Sequence, residues 1–421
     1  MKILWIVNSL LNEISAKLYG KPANGLWMDA LLSDFRGKDG LEIAVATTAK
    51  RKDRFEYRSG NISYFVLPDE PPILYNENKK SNIAAWRRLI EDVKPDVIQV
   101  WGTEFTHGLC ALREAGNIPS IIYMQGYLRA IAKYYTAGIS FDELKNTRTF
   151  RDFVKRDGIL AKQRKYYASA EKEAEMFRLA GRIISENQWC NINVRAAHPD
   201  IKIFDCPLNI NPVFGEHKWE IDNVEPHSII CTAPGYTIKG LHMLLRAVAL
   251  LKKKYPDVKL YIPGDKEPYE GLIGALRKDG YSLYIEKLTK ELGLDENIVW
   301  LGRLPQEGLA AEYAKRRVFV MPSSIENHSS SLKEAMMVGT PSVSSYVGGI
   351  PEYLAHGESG FVYRFEEYEM LADYVSRLFE DDDLAKRFSD AGRERMLRLH
   401  GKSATSDVIL QIYREIAGEK K

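Results

Sequence analysis

Residues 318–363 read VFVMPSSIENHSSSLKEAMMVGTPSVSSYVGGIPEYLAHGESGFVY, and this stretch alternates short apolar runs with polar loops. Its first run, VFVM, predicts a buried strand, and the polar loop that follows carries Glu326. A helix is predicted from about Ser329, with Glu334 on it, because Asn and Ser residues favour a helix N-terminus. The stretch therefore predicts a strand–loop–helix unit that brings two carboxylates to one end of a strand.

The same alternation of β-branched runs and amphipathic stretches continues along the whole chain, which indicates strand–helix units and parallel sheets. Twelve strands are predicted, at 2–7, 41–47, 62–67, 96–101, 120–124, 182–185, 228–232, 258–262, 298–301, 318–321, 341–345 and 360–363. The fold class is therefore α/β, with two doubly wound, Rossmann-like domains. Ligands of such sheets bind outside the carboxyl ends of the strands, so the expected site is a cleft between the domains.

A polar, proline-containing segment separates the two series of strands. We predict one domain at 1–206, a hinge or linker at 207–227 and a second domain at 228–401. The last residues, 402–421, have the apolar spacing of a helix, and we expect this helix to pack back onto the first domain.

The composition is that of an ordinary globular protein. The 421 residues include 59 Lys+Arg against 57 Asp+Glu, so the net charge of +2 gives no global attraction to nucleic acid. The four cysteines have neither a zinc-ligand nor a disulfide-framework spacing, which favours a reducing cytoplasm. No stretch of 18 apolar residues occurs, and the apolar N-terminus is interrupted by Asn8 and Asn12. A cytoplasmic protein without a leader or membrane span is expected.

Residues 318–363 resemble the Glu-x7-Glu signature of retaining glycosyltransferases of the GT-B fold, family 4. Glu326 and Glu334 have this spacing, and EAMMVGTPSVSSYVGGIPE continues the family pattern. Further matches are YIPGD at 261–265, LGLDENIVWLGRLP at 292–305 and IKGLHMLLRA around Lys239. The resemblance covers the second domain, whereas in the first domain it rests on architecture.

The resemblance implies a donor site for a nucleoside-diphosphate sugar in the second domain. Glu334 would bind the ribose hydroxyls and Glu326 the transferred sugar, because an ionised carboxylate accepts strong hydrogen bonds from vicinal hydroxyls. Backbone N–H groups at the helix N-terminus would complete this pocket, from Asn327, His328, Ser329 and Ser330.

Lys239 lies beside Gly240, where a helix is predicted to begin, and an ammonium at a helix N-terminus suits a diphosphate. The family places an Arg five positions before this Lys, but Pro234 stands there in this chain. Either Arg303, another basic residue or the glycine-containing turn at Gly235 compensates for the missing cation, or stabilisation of the leaving group is weaker. The other donor-binding candidates are Gly25, which resembles the family's glycine loop, and Tyr236.

In the first domain, WGTEFTHG directly follows the strand 96–101 and places Glu104 and His107 at a strand's carboxyl end. This position suits a sugar acceptor, and a helix-capping arrangement with a half-buried His is about equally expected. The third acceptor candidate is Gln125, in YMQGY, where family members often have a His.

Basic and aromatic residues are interleaved in the segment 148–182, which also contains Glu171, Glu173 and Glu175. A basic amphipathic helix on the inner face of a membrane and an ordinary salt-bridged helix are both consistent with this pattern.

The predicted function is that of a retaining glycosyltransferase, which moves a sugar from a nucleoside-diphosphate sugar to a glycan or lipid-linked acceptor in cell-surface glycan assembly. UDP or GDP is the favoured nucleotide, and no metal, additional cofactor or nucleic-acid partner is expected. The alternatives are a nucleotide-sugar epimerase or phosphorylase on the same fold, or a non-catalytic module that binds sugar nucleotides.

Overall fold

The computed structural model describes residues 1–21, 27–68, 70–208, 210–232, 235–265, 274, 276–400 and 405–418. The chain forms two compact units. The first contains Met1–Leu128, Ala168–Asn209 and Ser403–Lys421, and the second contains Arg129–Tyr167 and Ile210–Lys402.

The first unit is built on an eight-stranded sheet with the order β3-β4-β2-β1-β5-β6-β7-β8. All neighbouring strands are parallel except β3 and β4, which form an antiparallel pair. The strands are β1 Lys2–Ile6, β2 Glu42–Thr48, β3 Phe55–Ser59, β4 Ile62–Leu67, β5 Val97–Trp101, β6 Ser120–Tyr123, β7 Arg182–Ser185 and β8 Lys202–Asp205. Its helices are Asn12–Tyr19, Trp27–Phe35, Lys80–Val93, His107–Arg113, Gln188–Ala197 and Thr405–Gly418. The helix Ile159–Ala180 begins in the second unit and ends in the first.

The C-terminal helix Thr405–Gly418 completes the core of the first unit. Its apolar face packs with residues of β1, β2 and β5 in one buried cluster. Within that cluster Trp5 Nε1 donates to the hydroxyl of Tyr413 over 2.8 Å, and this hydroxyl donates to Gln99. The indole N–H of Trp5 and the hydroxyl of Tyr413 thus both have partners in the core, which is what burial of such groups requires.

The second unit has a fully parallel sheet with the order β11-β10-β9-β12-β13-β14. The strands are β9 Glu225–Ile230, β10 Lys259–Ile262, β11 Ile298–Trp300, β12 Arg316–Met321, β13 Ser342–Ser345 and β14 Phe361–Tyr363. Its helices are Val213–Glu216, Leu241–Lys254, Gly280–Glu291, Gln306–Lys315, Ser330–Val338, Tyr368–Glu380 and Asp382–His400. Every residue of β12 is buried, as expected for a central strand with helices on both faces of the sheet.

The two predicted doubly wound sheets are confirmed, and each of the twelve predicted strands is present. The structure adds β3 and β8, which were not predicted. None of the described helices is both long enough and apolar enough to cross a membrane.

The structure assigns residues 129–167 to the second unit, whereas the sequence predicts them inside the first domain, at 1–206. They belong to the second unit because their polar groups bond to the helix Leu241–Lys254 and its neighbours. The carbonyl of Ala137 bonds to His242 Nε2 at 2.8 Å, and Glu143 pairs with Arg246 at 3.0 Å. The segment contains the helices Phe141–Asn146 and Phe150–Lys155 and all but the first residue of the helix Leu128–Tyr134.

Candidate functional site

A loop at the carboxyl end of β12 forms the centre of the candidate site. It runs from Pro322 to Ser329, and the helix Ser330–Val338 follows. The Ser329 side chain accepts a hydrogen bond from the N–H of Leu332, so it is the N-cap that the sequence predicts. Gly339, with a φ of 95°, ends the helix in the left-handed conformation.

Glu326 and Lys239 form an ion pair in this unit. Lys239 Nζ lies 2.6 Å from Glu326 Oε1, and the hydroxyl of Ser323 donates to the same oxygen over 2.7 Å. Only 8% of Glu326 is exposed, whereas 26% of the Lys239 side chain is accessible. The pair therefore joins the loop after β9 to the loop after β12, and part of the Lys239 side chain remains accessible to solvent.

The environment of Lys239 keeps its side chain charged. Burial acts to lower the pKa of Lys239, but the neighbouring Glu326 carboxylate outweighs this and the pKa lies above its ordinary value. An ammonium fixed in this way can receive a diphosphate without a change in its protonation state.

Glu334 differs from Glu326 because it has no hydrogen bond or ion pair with any residue that the structure describes. Burial raises the pKa of Glu334 to about 7. A carboxyl group with a raised pKa favours the protonated form in the folded protein, so its contribution to folding stability falls as the pH rises toward 7. A ligand with hydroxyl groups would supply the donors that the ionised form lacks.

Two glycines let the loops of this site approach each other closely. A Cβ atom on Gly348 would lie 1.6 Å from the carbonyl oxygen of Glu326, and one on Gly240 would lie 1.7 Å from that of Pro322. Both glycines have a positive φ, 52° and 71° respectively. The position of Glu326 therefore depends on the absence of side chains at both places.

The helix N-terminus next to Glu326 is partly occupied by protein groups. The sequence predicts that the N–H of Ser329 is free to bind a ligand. In the structure this N–H instead donates to the hydroxyl of Tyr353 over 2.8 Å. The N–H groups of Ser330 and Ser331 have no acceptor among the described residues, as is usual in the first turn of a helix. Asn327, in the same loop, is buried, and its neighbour His328 is partly buried.

The remaining donor-site candidates occupy different environments. Arg303 is 77% exposed and forms an ion pair with Asp265, with Nε 2.8 Å from the carboxylate. Tyr236 is 42% exposed, and its ring centroid is 6.0 Å from Lys239 Nζ. A Cβ atom on Gly235 would have no atom within 4 Å among the residues that the structure describes. Two of the sequence positions, Gly25 and Pro234, lie outside the described residues.

In the first unit, Glu104 lies at the carboxyl end of β5 beside β1. Asn8 Nδ2 donates to Glu104 Oε2 over 3.1 Å, and a Cβ atom on Gly102 would lie 2.1 Å from that oxygen. Burial raises the pKa of Glu104 to about 6, while the hydrogen bond from Asn8 opposes the shift. A carboxyl group with such a pKa can exchange a proton near neutral pH.

His107 is fully buried, and its Nε2 lies 3.1 Å from the carbonyl oxygen of Val7. Burial lowers the pKa of His107 to about 4, so the ring is neutral and Nε2 donates to that carbonyl. This geometry favours a structural role that fixes the end of β1. Gln125 is partly buried just after β6, and its part in acceptor binding stays a prediction.

Four residues that contribute to the two candidate sites were not predicted from the sequence, namely Ser323, Tyr353, Gly348 and Asn8. The first three act through contacts with residues 3 to 24 positions away, and Asn8, in the loop after β1, contacts Glu104, which lies 96 positions later. Such contacts leave no mark in local spacing. The GG pair at 348–349 and the position of Asn8 just after a strand were the only local signals available.

Solved structures of low sequence identity share this architecture over the whole chain. A sucrose-phosphate synthase from Thermosynechococcus elongatus superposes with a TM-score of 0.72 at 18% identity, covering 99% of both chains. Trehalose-6-phosphate from E. coli, bound with UDP-2-fluoro glucose, gives a TM-score of 0.63 at 13% identity over 99% of both chains. This chain has the GT-B fold. The fold prediction is thereby confirmed.

The sequence comparisons match part of the chain, and the family match lies in the second unit. Residues 216–395 match the family model described as Glycosyl transferases group 1. An uncharacterized glycosyltransferase, YqgM of Bacillus subtilis, is 26% identical over 53% of this chain and 57% of its own length. A D-inositol 3-phosphate glycosyltransferase of Corynebacterium urealyticum is 28% identical over 42% of this chain and 41% of its own. The chain thus spans about half the length of these curated relatives.

The close approach at Gly348 generates a stability prediction. Gly357 has a similar positive φ of 77° but open space around it, so Gly357→Ala carries the backbone strain alone. That strain is roughly 1–2 kcal/mol, which lowers the Tm by a few degrees. Gly348→Ala adds a clash with the Glu326 carbonyl, and we expect at least twice the Tm loss in a thermal melt. Equal losses for the two variants would contradict the packing described here.

Proposed function

We propose that the protein is a retaining glycosyltransferase, which moves a sugar from a nucleoside-diphosphate sugar to a hydroxyl acceptor. The observation that carries the proposal is the Lys239–Glu326 ion pair in the loops after β9 and β12, together with the uncompensated carboxyl group of Glu334 on the helix that follows. A fixed cation together with two carboxyl groups on the loop and helix after β12 matches a ligand that is anionic at one end and rich in hydroxyls at the other. The family model that matches residues 216–395 supports this assignment.

In the proposed reaction, Lys239 stabilises the leaving group. Negative charge builds on the diphosphate as the bond to the sugar breaks, and an ammonium already in place stabilises that charge without reorganisation. Glu326 would orient the sugar through its hydroxyls, and Ser323 holds this carboxylate in position. Glu334 would accept hydrogen bonds from the ribose.

Retention of configuration follows if the acceptor hydroxyl attacks from the face that the diphosphate leaves. An oxygen of the leaving phosphate can then take the proton of the acceptor, so no protein nucleophile is needed. Because Lys239 and the helix N-terminus supply positive polarisation at the diphosphate, we expect transfer to continue in the presence of a chelator.

UDP is the first nucleotide to test, and GDP is the second. The structure of HepE from Anabaena was solved with UDP and glucose, and it superposes on this chain with a TM-score of 0.64 at 14% identity over 99% of this chain and 100% of its own. A mannosyltransferase of Mycolicibacterium smegmatis, 28% identical over 39% of this chain and 42% of its own, is named as GDP-mannose-dependent.

For the acceptor, we propose a glycan or a lipid-linked sugar, bound at the strand ends of the first unit. Glu104 supports this because it is a carboxyl group with a pKa near neutrality at the carboxyl end of a central strand. A role in cell-surface glycan assembly on the cytoplasmic side of a membrane would fit such an acceptor.

The first test compares turnover in Lys239→Ala with Lys253→Ala, after a panel of nucleotide sugars has identified the donor. Lys253 lies exposed on the helix that follows Lys239, so its removal changes the net charge equally. We expect Lys239→Ala and Glu326→Ala each to lower turnover by about 10²-fold, the scale for loss of one preorganised group. Lys253→Ala should keep wild-type turnover.

Other outcomes would identify the alternatives. Wild-type turnover in folded Lys239→Ala and Glu326→Ala would contradict the site assignment. A donor that is bound but never consumed would indicate a binding module, and conversion of the sugar without an acceptor would indicate an epimerase. Consumption that requires inorganic phosphate would indicate a phosphorylase.

The raised pKa of Glu334 generates a pH prediction. Hydrogen bonds from the ribose hydroxyls favour the ionised form of Glu334. Binding of the nucleotide sugar therefore releases a proton below pH 7, and the affinity for the nucleotide sugar falls as the solution is acidified. With a pKa of about 7, roughly one-tenth of the free protein is ionised at pH 6, so the Kd should rise about tenfold between pH 8 and pH 6.

The control for this titration is Glu334→Gln, which keeps the size of the side chain but cannot ionise. Calorimetric titration of the nucleotide sugar should show weaker binding to this variant and a Kd that no longer changes over this pH range. An equal pH dependence in both proteins would show that Glu334 does not contact the donor.

A further inference from the structure

An exposed apolar cluster lies in the second unit, on residues that the donor assignment does not use. Phe150, Phe153 and Val154 are 68%, 64% and 61% exposed, and nearby Phe141 is 69% exposed. Positions i, i+3 and i+4 of a helix lie on one face, so the helix Phe150–Lys155 presents three apolar side chains together. Large apolar side chains concentrated in this way mark an interaction surface more often than chance exposure.

The helix that carries this cluster is held in a defined conformation. The Thr149 side chain accepts from the N–H of Asp152, and the Asp152 carboxylate accepts from the N–H of Thr149, which forms a capping box. Asp152 also pairs with Arg151. The apolar face is therefore presented by an ordered element.

Exposed charge around the cluster is almost entirely positive. Between 141 and 167 six exposed residues are basic, namely Lys145, Arg148, Lys155, Arg156, Arg164 and Lys165. Of the four acidic residues in this range, Asp142 alone is exposed. Glu143 pairs with Arg246, and the remaining two, Asp152 and Asp157, pair with Arg151.

We propose that this cationic apolar surface, formed by residues 141–156, docks onto an anionic lipid bilayer. Aromatic side chains insert at the boundary between headgroups and acyl chains, and surrounding Lys and Arg residues bind anionic headgroups. The charge of the surface matches this partner, and its short helices suit contact in the plane of the interface. The proposal does not depend on the proposed transfer activity.

The structure places this surface differently from the segment 148–182 of the sequence analysis. In the later part of that segment Phe177 is buried, and Glu175 forms a two-bond ion pair with Arg113. The part after about 167 is therefore an ordinary packed helix, and the lipid-facing residues are the earlier ones together with Phe141.

The test measures flotation of the full chain with vesicles of phosphatidylcholine, with or without phosphatidylglycerol. We expect the protein to float with the anionic vesicles and to dissociate at high salt. The double substitution Phe150→Ser with Phe153→Ser should lower the partition coefficient at least tenfold, because each Phe loses its apolar burial. Lys155→Gln with Arg156→Gln should lower it by roughly fivefold per residue removed.

The matched control is Ile73→Ser with Leu74→Ser, because these side chains are 73% and 66% exposed but belong to the first unit and lie outside the cluster. It should leave flotation unchanged, and all variants should keep the wild-type Tm. Failure of the wild type to float with anionic vesicles would overturn the proposal. So would an equal loss in the control, or a Phe150/Phe153 effect seen only as dissociation of an oligomer in sedimentation.

Discussion

The arrangement of the loops after β9 and β12 in the second unit depends on the ion pair between Lys239 and Glu326. This ion pair joins two loops that are 87 residues apart in sequence, and Ser323 adds a third hydrogen-bonding group at the same carboxylate. Removal of water from two charges is costly, so a pair of this kind persists only where geometry and additional hydrogen bonds compensate. The glycines at 240 and 348 provide this geometry, since a side chain at either would push a loop away.

The two glutamates of the site differ in their electrostatic environment, because Glu326 is paired with a cation and Glu334 is not. Glu326 is matched by Lys239, whereas burial of Glu334 without a countercharge raises the pKa of Glu334 to about 7. A carboxyl group that is costly to ionise in the free protein gains most from a ligand that donates hydrogen bonds to it. The uncompensated carboxyl group is therefore the feature of the free protein that most clearly anticipates a hydroxyl-rich ligand.

Much of the fold could be predicted from the sequence because buried parallel strands give continuous apolar runs. The strands β3 and β8 could not, since FEYRS and KIFD mix charged and apolar residues as strands at a sheet edge do. The placement of residues 129–167 was also beyond local patterns. It depends on contacts such as His242 with the Ala137 carbonyl, which join residues 105 positions apart.

Within the site, Lys239 and Glu326 could be predicted because each lies in the loop region after a strand, and Glu334 because of its spacing from Glu326 on the helix that follows. The partners that fix this arrangement, Ser323 and Tyr353, could not be predicted, because hydroxyl groups in loops form many kinds of contact.

The most direct test is a crystal structure with the preferred nucleoside diphosphate bound. We expect phosphate oxygens within hydrogen-bonding distance of Lys239 Nζ, and ribose hydroxyls within hydrogen-bonding distance of the Glu334 carboxylate. A nucleotide bound elsewhere, with the Lys239–Glu326 pair untouched, would contradict this expectation.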